Sequence, residues 1–196
     1  MKLEYGLIWP ATKVLGPGNR FVIWTQGCPR RCFKCASPEL QVAGLGKTED
    51  VSVLADMIIG KKDIDGITIS GGEPMVQAEA ISQLLSIVRQ ERPELNVILF
   101  TGYRLEDLHT DNRKALLQYL DVLIDGEYID GLNDNIGLRG SSNQQVHYLT
   151  DRLATFREQL EGGRRRREIH VLGDNELLTI GISDKYTNNG CYGEEQ

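Results

Sequence analysis

Phe21-Val22-Ile23-Trp24-Thr25-Gln26-Gly27-Cys28-Pro29-Arg30-Arg31-Cys32-Phe33-Lys34-Cys35 joins an apolar, β-rich run to three cysteines at C-x3-C-x2-C spacing. The run at 21–25 reads as a strand, and its unbroken apolar character suits one covered on both faces of a sheet. The cysteines then fall on the loop at that strand's C-terminal end. Thiolates this close together on one loop can share one metal centre, and on a cubane [4Fe-4S] cluster three of them leave one iron without a protein ligand. An open iron implies that something else binds there.

Two plainer readings compete with the cluster. Structural zinc sites are usually closed by four ligands, with one cysteine pair answered by a second. No second pair exists here: Cys191 stands alone near the C-terminus, and His109, His147 and His170 are scattered. Disulfide frameworks belong to small secreted domains, whereas this chain is long enough to build an ordinary core.

Outward from the cysteine loop the chain alternates short apolar runs with amphipathic helical patterns, as βα units of a parallel sheet do. Residues 51–59 form a helical pattern with Leu54, Met57 and Ile58 on one side. Residues 66–70 read as a strand ending in Gly71-Gly72-Glu73-Pro74, and 78–90 as a helix presenting Ile81, Leu84, Leu85 and Val88. A strand at 96–100 stops at Thr101-Gly102-Tyr103. A helix around 113–120 precedes a strand at 121–126 that carries Asp125. In α/β folds ligands bind at the carboxyl ends of the strands, and all four motifs end strands on that side.

Each motif has a bland and a functional reading. Gly71-Gly72 after Ser70 lets backbone approach a ligand, and Glu73 can accept hydrogen bonds from an ammonium group; alone, the string would be a glycine turn with an exposed acid. Phe33 is either a packing residue or a flat ring for a purine. Asp125 is either a turn cap or a ligand-facing acid.

With 196 residues, 40% of them hydrophobic, and a formal charge of -6, the composition suits one compact globular domain with a small appendage. The first ten residues lack the apolar run of a signal peptide and no stretch is long enough to span a bilayer, so the expectation is a cytoplasmic protein with no membrane partner. The acidic balance argues against general nucleic-acid binding. The basic run at 164–167 reads first as a solvated edge, with Glu158, Glu161 and Glu168 nearby.

Cys28, Cys32 and Cys35 with the aromatic Phe33, followed by Gly71-Gly72-Glu73-Pro74, resemble the radical S-adenosylmethionine (radical SAM) superfamily. Gly16-Pro17-Gly18-Asn19-Arg20, Thr101-Gly102-Tyr103, Asp125-Gly126-Glu127-Tyr128 and Leu138-Arg139-Gly140-Ser141-Ser142-Asn143-Gln144 narrow the likeness to the anaerobic ribonucleotide reductase activating proteins. The resemblance implies an α/β fold, a partial (β/α) barrel of radical SAM type, in which the three cysteines hold one [4Fe-4S] cluster and the amine and carboxylate of S-adenosyl-L-methionine chelate its open iron. It also implies that Glu73 and the Gly71-Gly72 backbone receive the methionyl amine and that Phe33 lies near adenine. Ser70, Thr101, Gly102, Tyr103 and Asp125 are expected to complete the cofactor site, and Arg139 and Ser141 to serve the cofactor or partner surface. The implied partners are a large glycyl-radical protein and a reductant such as flavodoxin or ferredoxin.

The chain departs from that pattern in two places. Activases typically carry glycine before the third cysteine and asparagine two residues after it, where this chain has Lys34 and Ser37. The shared pattern is also exhausted near His147. Residues 1–150 are therefore read as the core, 151–186 as an appendage with a helix at 149–160 and a hairpin of 167–172 with 177–182, and 187–196 as a mobile polar tail. The appendage reads as a cover for a sheet edge or as a partner platform. A stand-alone radical SAM enzyme acting on a small molecule, nucleotide or peptide, and a non-catalytic iron-sulfur or zinc module, are the alternatives.

Overall fold

In chain order the computed structural model, which describes residues 1–173 and 176–184, contains β1 (Lys2–Thr12), β2 (Arg20–Thr25), β3 (Lys47–Asp50), α1 (Val51–Gly60), β4 (Gly66–Gly71), α2 (Ala78–Glu91), β5 (Asn96–Phe100), α3 (Asp111–Leu117), β6 (Val122–Asp125), β7 (Gln145–Tyr148), β8 (Glu168–Gly173) and β9 (Glu176–Ile180). The first seven strands form one sheet in the order β3-β1-β2-β4-β5-β6-β7, and β8 with β9 forms a hairpin. The four central strands are parallel, with Ile23 paired to Ile69 and Ile69 to Leu99. The sheet is nevertheless mixed, because at its flanks β1 pairs antiparallel with β2, β3 with β1, and β7 with β6. The alternating pattern did not announce these flanks. Along β1 most residues are half-buried, and its register shifts between Tyr5 and Leu7 and between Trp9 and Thr12, so no clean period-two signal survives.

One face of the sheet packs against the helices. Phe21, Ile23, Ile67, Ile69, Val97, Leu99 and Leu123 meet Leu54, Ile58, Ile81, Leu84, Leu85, Val88 and Leu116 in one buried cluster. Each fully buried side chain of this size contributes about 1.5–3 kcal/mol. On α1 the expected stripe shifts: Leu54 and Ile58 are buried, but Met57 is 46% exposed, because Val51 and Ala55 take the inward positions instead. Helix α2 ends where Arg92 N donates to Val88 O and Pro93, lacking an amide hydrogen, stops the ladder.

The opposite face is covered by irregular chain. Ile98, Val122 and Ile124 pack under Leu138, Leu153 and Leu160, while Val22 packs under Leu15 and Ile180. The segment expected as a helix at 149–160 is a 3-10 helix, Asp151–Phe156, followed by a wide π turn, Glu158–Gly162. Its carbonyls are drawn out of a regular ladder because Leu138 N donates to Leu160 O and Gly137 N to Gly163 O. The hairpin forms as expected in β8 and β9; its turn, Asp174-Asn175, and the tail with Cys191 lie outside the described residues. It docks on the sheet's face rather than an edge, through Ile180 and through Glu168, which accepts from Thr12 Oγ1 at 2.7 Å and Lys13 N at 3.0 Å.

Candidate active site

The C-terminal ends of β2 and β4 are tied together by backbone. Gly72 N donates to Thr25 O at 2.8 Å and Glu73 N to Gly27 O at 2.9 Å, while Gly27 N and Cys28 N donate to the carbonyls of Leu40 and Gln41. Such close strand ends leave no room for a β-carbon. One on Gly71, whose φ is +108°, would lie 2.4 Å from Thr25 N, and one on Gly72 would lie 2.4 Å from Gly27 O. The glycine pair is therefore required by the approach of the two loops.

Glu73 follows directly and is 1% exposed. Its Oε1 accepts from Thr101 Oγ1 at 2.7 Å and Met75 N at 3.0 Å, and its Oε2 from Gly102 N at 2.8 Å. Burial pushes this carboxyl above its ordinary value, against the pull of those hydrogen bonds and of Arg30. Oε2 keeps one acceptor position free, so an ammonium group entering the cavity has a buried carboxylate to meet.

Cys28, Cys32 and Cys35 line the same cleft as Ser70, Gly71, Gly72, Glu73, Thr101 and Gly102. The cleft is open to solvent on one side and its cavity volume is about 190 Å³. Burial raises the Cys28 thiol, and burial together with the nearby Glu127 carboxylate pushes Cys32 up to about 11. Binding a metal centre must therefore displace these protons. Among the described residues no three His, Cys, Asp or Glu side chains close on a point where one metal ion would sit. A cubane takes each thiolate at a different iron, so it suits a spread set of three donors better than a single ion does. The buried Nε of Arg30 has no hydrogen-bond partner, while its guanidinium lies 3.7 Å from Glu127 and over the ring of Tyr103. A cation with an unused donor beside the thiols fits an anionic group such as a carboxylate.

The other expected residues divide. Phe33 is 76% exposed and outside the cleft's lining, with the Lys34 ammonium 5.7 Å from its ring centre. Tyr103 is held between the Arg30 and Arg113 guanidiniums. Asp125 is buried, accepts from Leu105 N at 2.6 Å and lies 3.1 Å from His147 Nε2, behind the cleft rather than in its wall. Arg139 pairs with Asp134, and buried Ser141 accepts from Ile129 N. Lys34, standing where activases carry glycine, has φ +53° and an ion pair to Asp130 at 3.3 Å. The left-handed backbone explains why glycine suits this position.

Several lining residues escaped the sequence reading. Arg30 lay in plain view between the first two cysteines. Tyr128 and Gln144 belonged to quoted motifs without a role, and Gln144 pins the loop by donating to Gly126 O and accepting from Gly140 N. Gly181 and Ile182 read only as the end of the hairpin strand expected at 177–182, which stops at Ile180, and Ser183 carried no signal.

Residues 14–147 match the family of 4Fe-4S single cluster domains, which makes this mixed α/β chain, with three thiols in a cleft at the ends of parallel strands, a member of an iron-sulfur family. Relatives bearing one name extend the likeness. The anaerobic ribonucleoside-triphosphate reductase-activating protein of Enterobacteria phage T4 is 34% identical over 153 residues, 76% of this chain and 96% of that one. Its namesake from Vibrio cholerae is 34% identical over 155 residues, 76% and 99% of the two chains. That of Escherichia coli is 29% identical over 154 residues, 75% and 99%. The chain belongs to the family of anaerobic ribonucleoside-triphosphate reductase-activating proteins.

Proposed function

We propose that this protein is a radical SAM enzyme of the cytoplasm, binding one [4Fe-4S] cluster through Cys28, Cys32 and Cys35 and activating a large anaerobic ribonucleotide reductase by forming a glycyl radical on it. The observation that carries this reading is the shared cleft. The three thiols, the Gly71-Gly72 backbone and the buried Glu73 carboxylate arrive there from the ends of adjacent parallel strands. The names of the relatives supply the reductase partner. The sheet would then be the open (β/α) barrel of the superfamily, with residues 1–150 as the core and 151–186 as the extension.

Each group has a defined task in this reading. Cys28, Cys32 and Cys35 would hold the cluster, which, reduced by a donor such as flavodoxin or ferredoxin, would supply the electron for reductive cleavage of S-adenosylmethionine and so the chemistry that takes hydrogen from the partner's glycine. Glu73 receives the methionyl ammonium, and its three protein donors hold the carboxylate still while it does so. Arg30 faces the methionyl carboxylate with its unused donor. Ser70, Thr101 and Gly102 line the cleft around them. Phe33, Asp125, Tyr103, Arg139 and Ser141 serve outside its wall: exposed Phe33 faces the partner, and the other four support the loops.

The test is 5'-deoxyadenosine formation by the anaerobically reconstituted, reduced protein, with Cys32→Ala as control. The expected result is product from the wild type, none from the variant, and an organic radical on the cognate reductase. Product without a radical on that reductase would favour a stand-alone enzyme. One zinc per chain and no iron would overturn the reading.

A further inference from the structure

A second cavity opens in the irregular chain that covers the sheet's non-helical face. Lys13, from the loop after β1, and Arg164, Arg165 and Arg166, from the basic run, line it, and among the described residues no carboxylate does. The whole chain carries a formal charge of -6, so this lining runs against the composition. All four cations lie outside residues 14–147, the part that matches the family. An antiparallel bridge between Ile136 and Arg164 brings the basic run against the core.

The cations divide by what they already hold. The Arg165 side chain is only 3% exposed and donates through Nη1 to Ser183 O and Asn133 Oδ1, through Nη2 to the carbonyls of Arg139 and Gly140, and through Nε to Gly137 O. Those acceptors are neutral, and its ion pair to Asp134 is 3.8 Å long and shared with Arg139. Burial pulls the Arg165 guanidinium below its ordinary value, with Asp134 and Asp184 pulling the other way, so negative charge beside it is favoured. Lys13, Arg164 and Arg166 are exposed, and among the described residues none of them has a carboxylate partner. Nearby acids are engaged elsewhere: Glu161 with Arg157 at 2.8 Å, Asp184 with Arg167 at 3.0 Å, and Glu168 with Thr12 Oγ1 and Lys13 N. Cations gathered round one hollow repel one another unless something negative sits among them.

We propose that this cavity is a site for a tetrahedral oxyanion, a phosphate group either free or carried by a nucleotide, held by Lys13, Arg164 and Arg166 with the buried charge of Arg165 in its wall. The cavity volume is about 50 Å³. That is room for about three or four waters, and so for one phosphate group, while the sugar and base of a nucleotide stay outside. Guanidinium forks match phosphate oxygens two at a time, and an ammonium adds a point charge. Ile182 lines both this cavity and the main cleft, and Arg165 bonds the carbonyls of Gly140 and Ser183, which line the cleft too. The two cavities therefore share a wall, yet the oxyanion site does not depend on what the cleft binds.

The test is calorimetric titration of the reconstituted full-length protein with inorganic phosphate and, separately, with adenosine triphosphate, at low and high salt. One saturable site per chain is expected, weakened by salt. Replacing both Arg164→Ala and Arg166→Ala should weaken binding about tenfold or more, and Lys13→Ala less, while iron content and the thermal midpoint stay at wild-type values. Lys62→Ala, an exposed cation outside the lining, is the control expected to match wild type. Equal affinity for the two probes would support a site for a free phosphate group; tighter triphosphate binding that falls in the same double variant would support a nucleotide. Wild-type affinity in the double variant, or no saturable binding of either probe at low salt, would overturn the proposal. A loss in Lys62→Ala equal to that in the double variant would overturn it too, as general charge attraction.

Discussion

The two faces of the central sheet solve different problems. The helix-covered face is uniformly apolar: Phe21, Ile23, Ile67, Ile69, Val97, Leu99 and Leu123 need only area and shape from α1, α2 and α3. The opposite face interleaves Val22, Ile98, Val122 and Ile124 with Arg20, Thr68 and Asn96, and it must also leave room for a cleft. Helices cannot satisfy such a surface, because their own hydrogen bonds are spent internally. Irregular chain can, since its free carbonyls and amides meet the polar groups one by one. Arg20 shows the pattern. Fully buried, it donates to Thr68 Oγ1, Asn96 Oδ1 and the carbonyls of Pro17 and Ile67, and burial lowers its pKa to about 9, partly offset by Asp121 and Asp65.

If this contrast holds, substitutions on the two faces should fail differently. The largest stability loss is expected for Arg20→Met, which strands several buried acceptors at about 1–3 kcal/mol each; urea unfolding should show a loss of roughly 3 kcal/mol or more, or no folded protein. Leu84→Ala on the helical face should cost about 2–5 kcal/mol while S-adenosylmethionine affinity stays unchanged, and a comparable loss of affinity would break the separation of the faces. Glu73→Gln should keep the iron and weaken S-adenosylmethionine about tenfold or more, as expected for removing one charge-assisted bond. The smallest effect concerns the hairpin. Burial alone would raise the Glu168 carboxyl, but hydrogen bonds from Lys13 N, Thr12 Oγ1 and His170 outweigh it and hold the group below its ordinary value of 4.5. A lowered acid stabilises above its unfolded pKa, so hairpin docking should weaken as pH falls below 4.5. Hydrogen exchange of β8 should show this acid-side loosening in wild type and lose it in Glu168→Gln.

How much was legible follows the same division. The parallel strands and α2 were readable because a covered strand is a continuous apolar run and Ile81, Leu84, Leu85 and Val88 repeat at helical spacing. The antiparallel flanks were not, since β1 is half-buried and bulged and β7 is only four residues long. In the site, thiols and glycines stood out because few other residues serve their purposes. Arg30 and Gln144 did not, because arginine and glutamine are ordinary surface residues until folding buries them.

The sequence by itself determined which chemistry this protein carries: three closely spaced thiolates after a strand, and a glycine pair followed by an acid after the next, are local statements about reactive atoms and backbone freedom. Only the tertiary structure decided what surrounds that chemistry. Cys28 and Glu73 lie 73 − 28 = 45 residues apart and Trp24 and Ile182 lie 182 − 24 = 158 apart, and nothing in a single segment specifies a partner it meets only through the sheet. Burial then gives those meetings their energy, by removing the water that would otherwise satisfy each polar group.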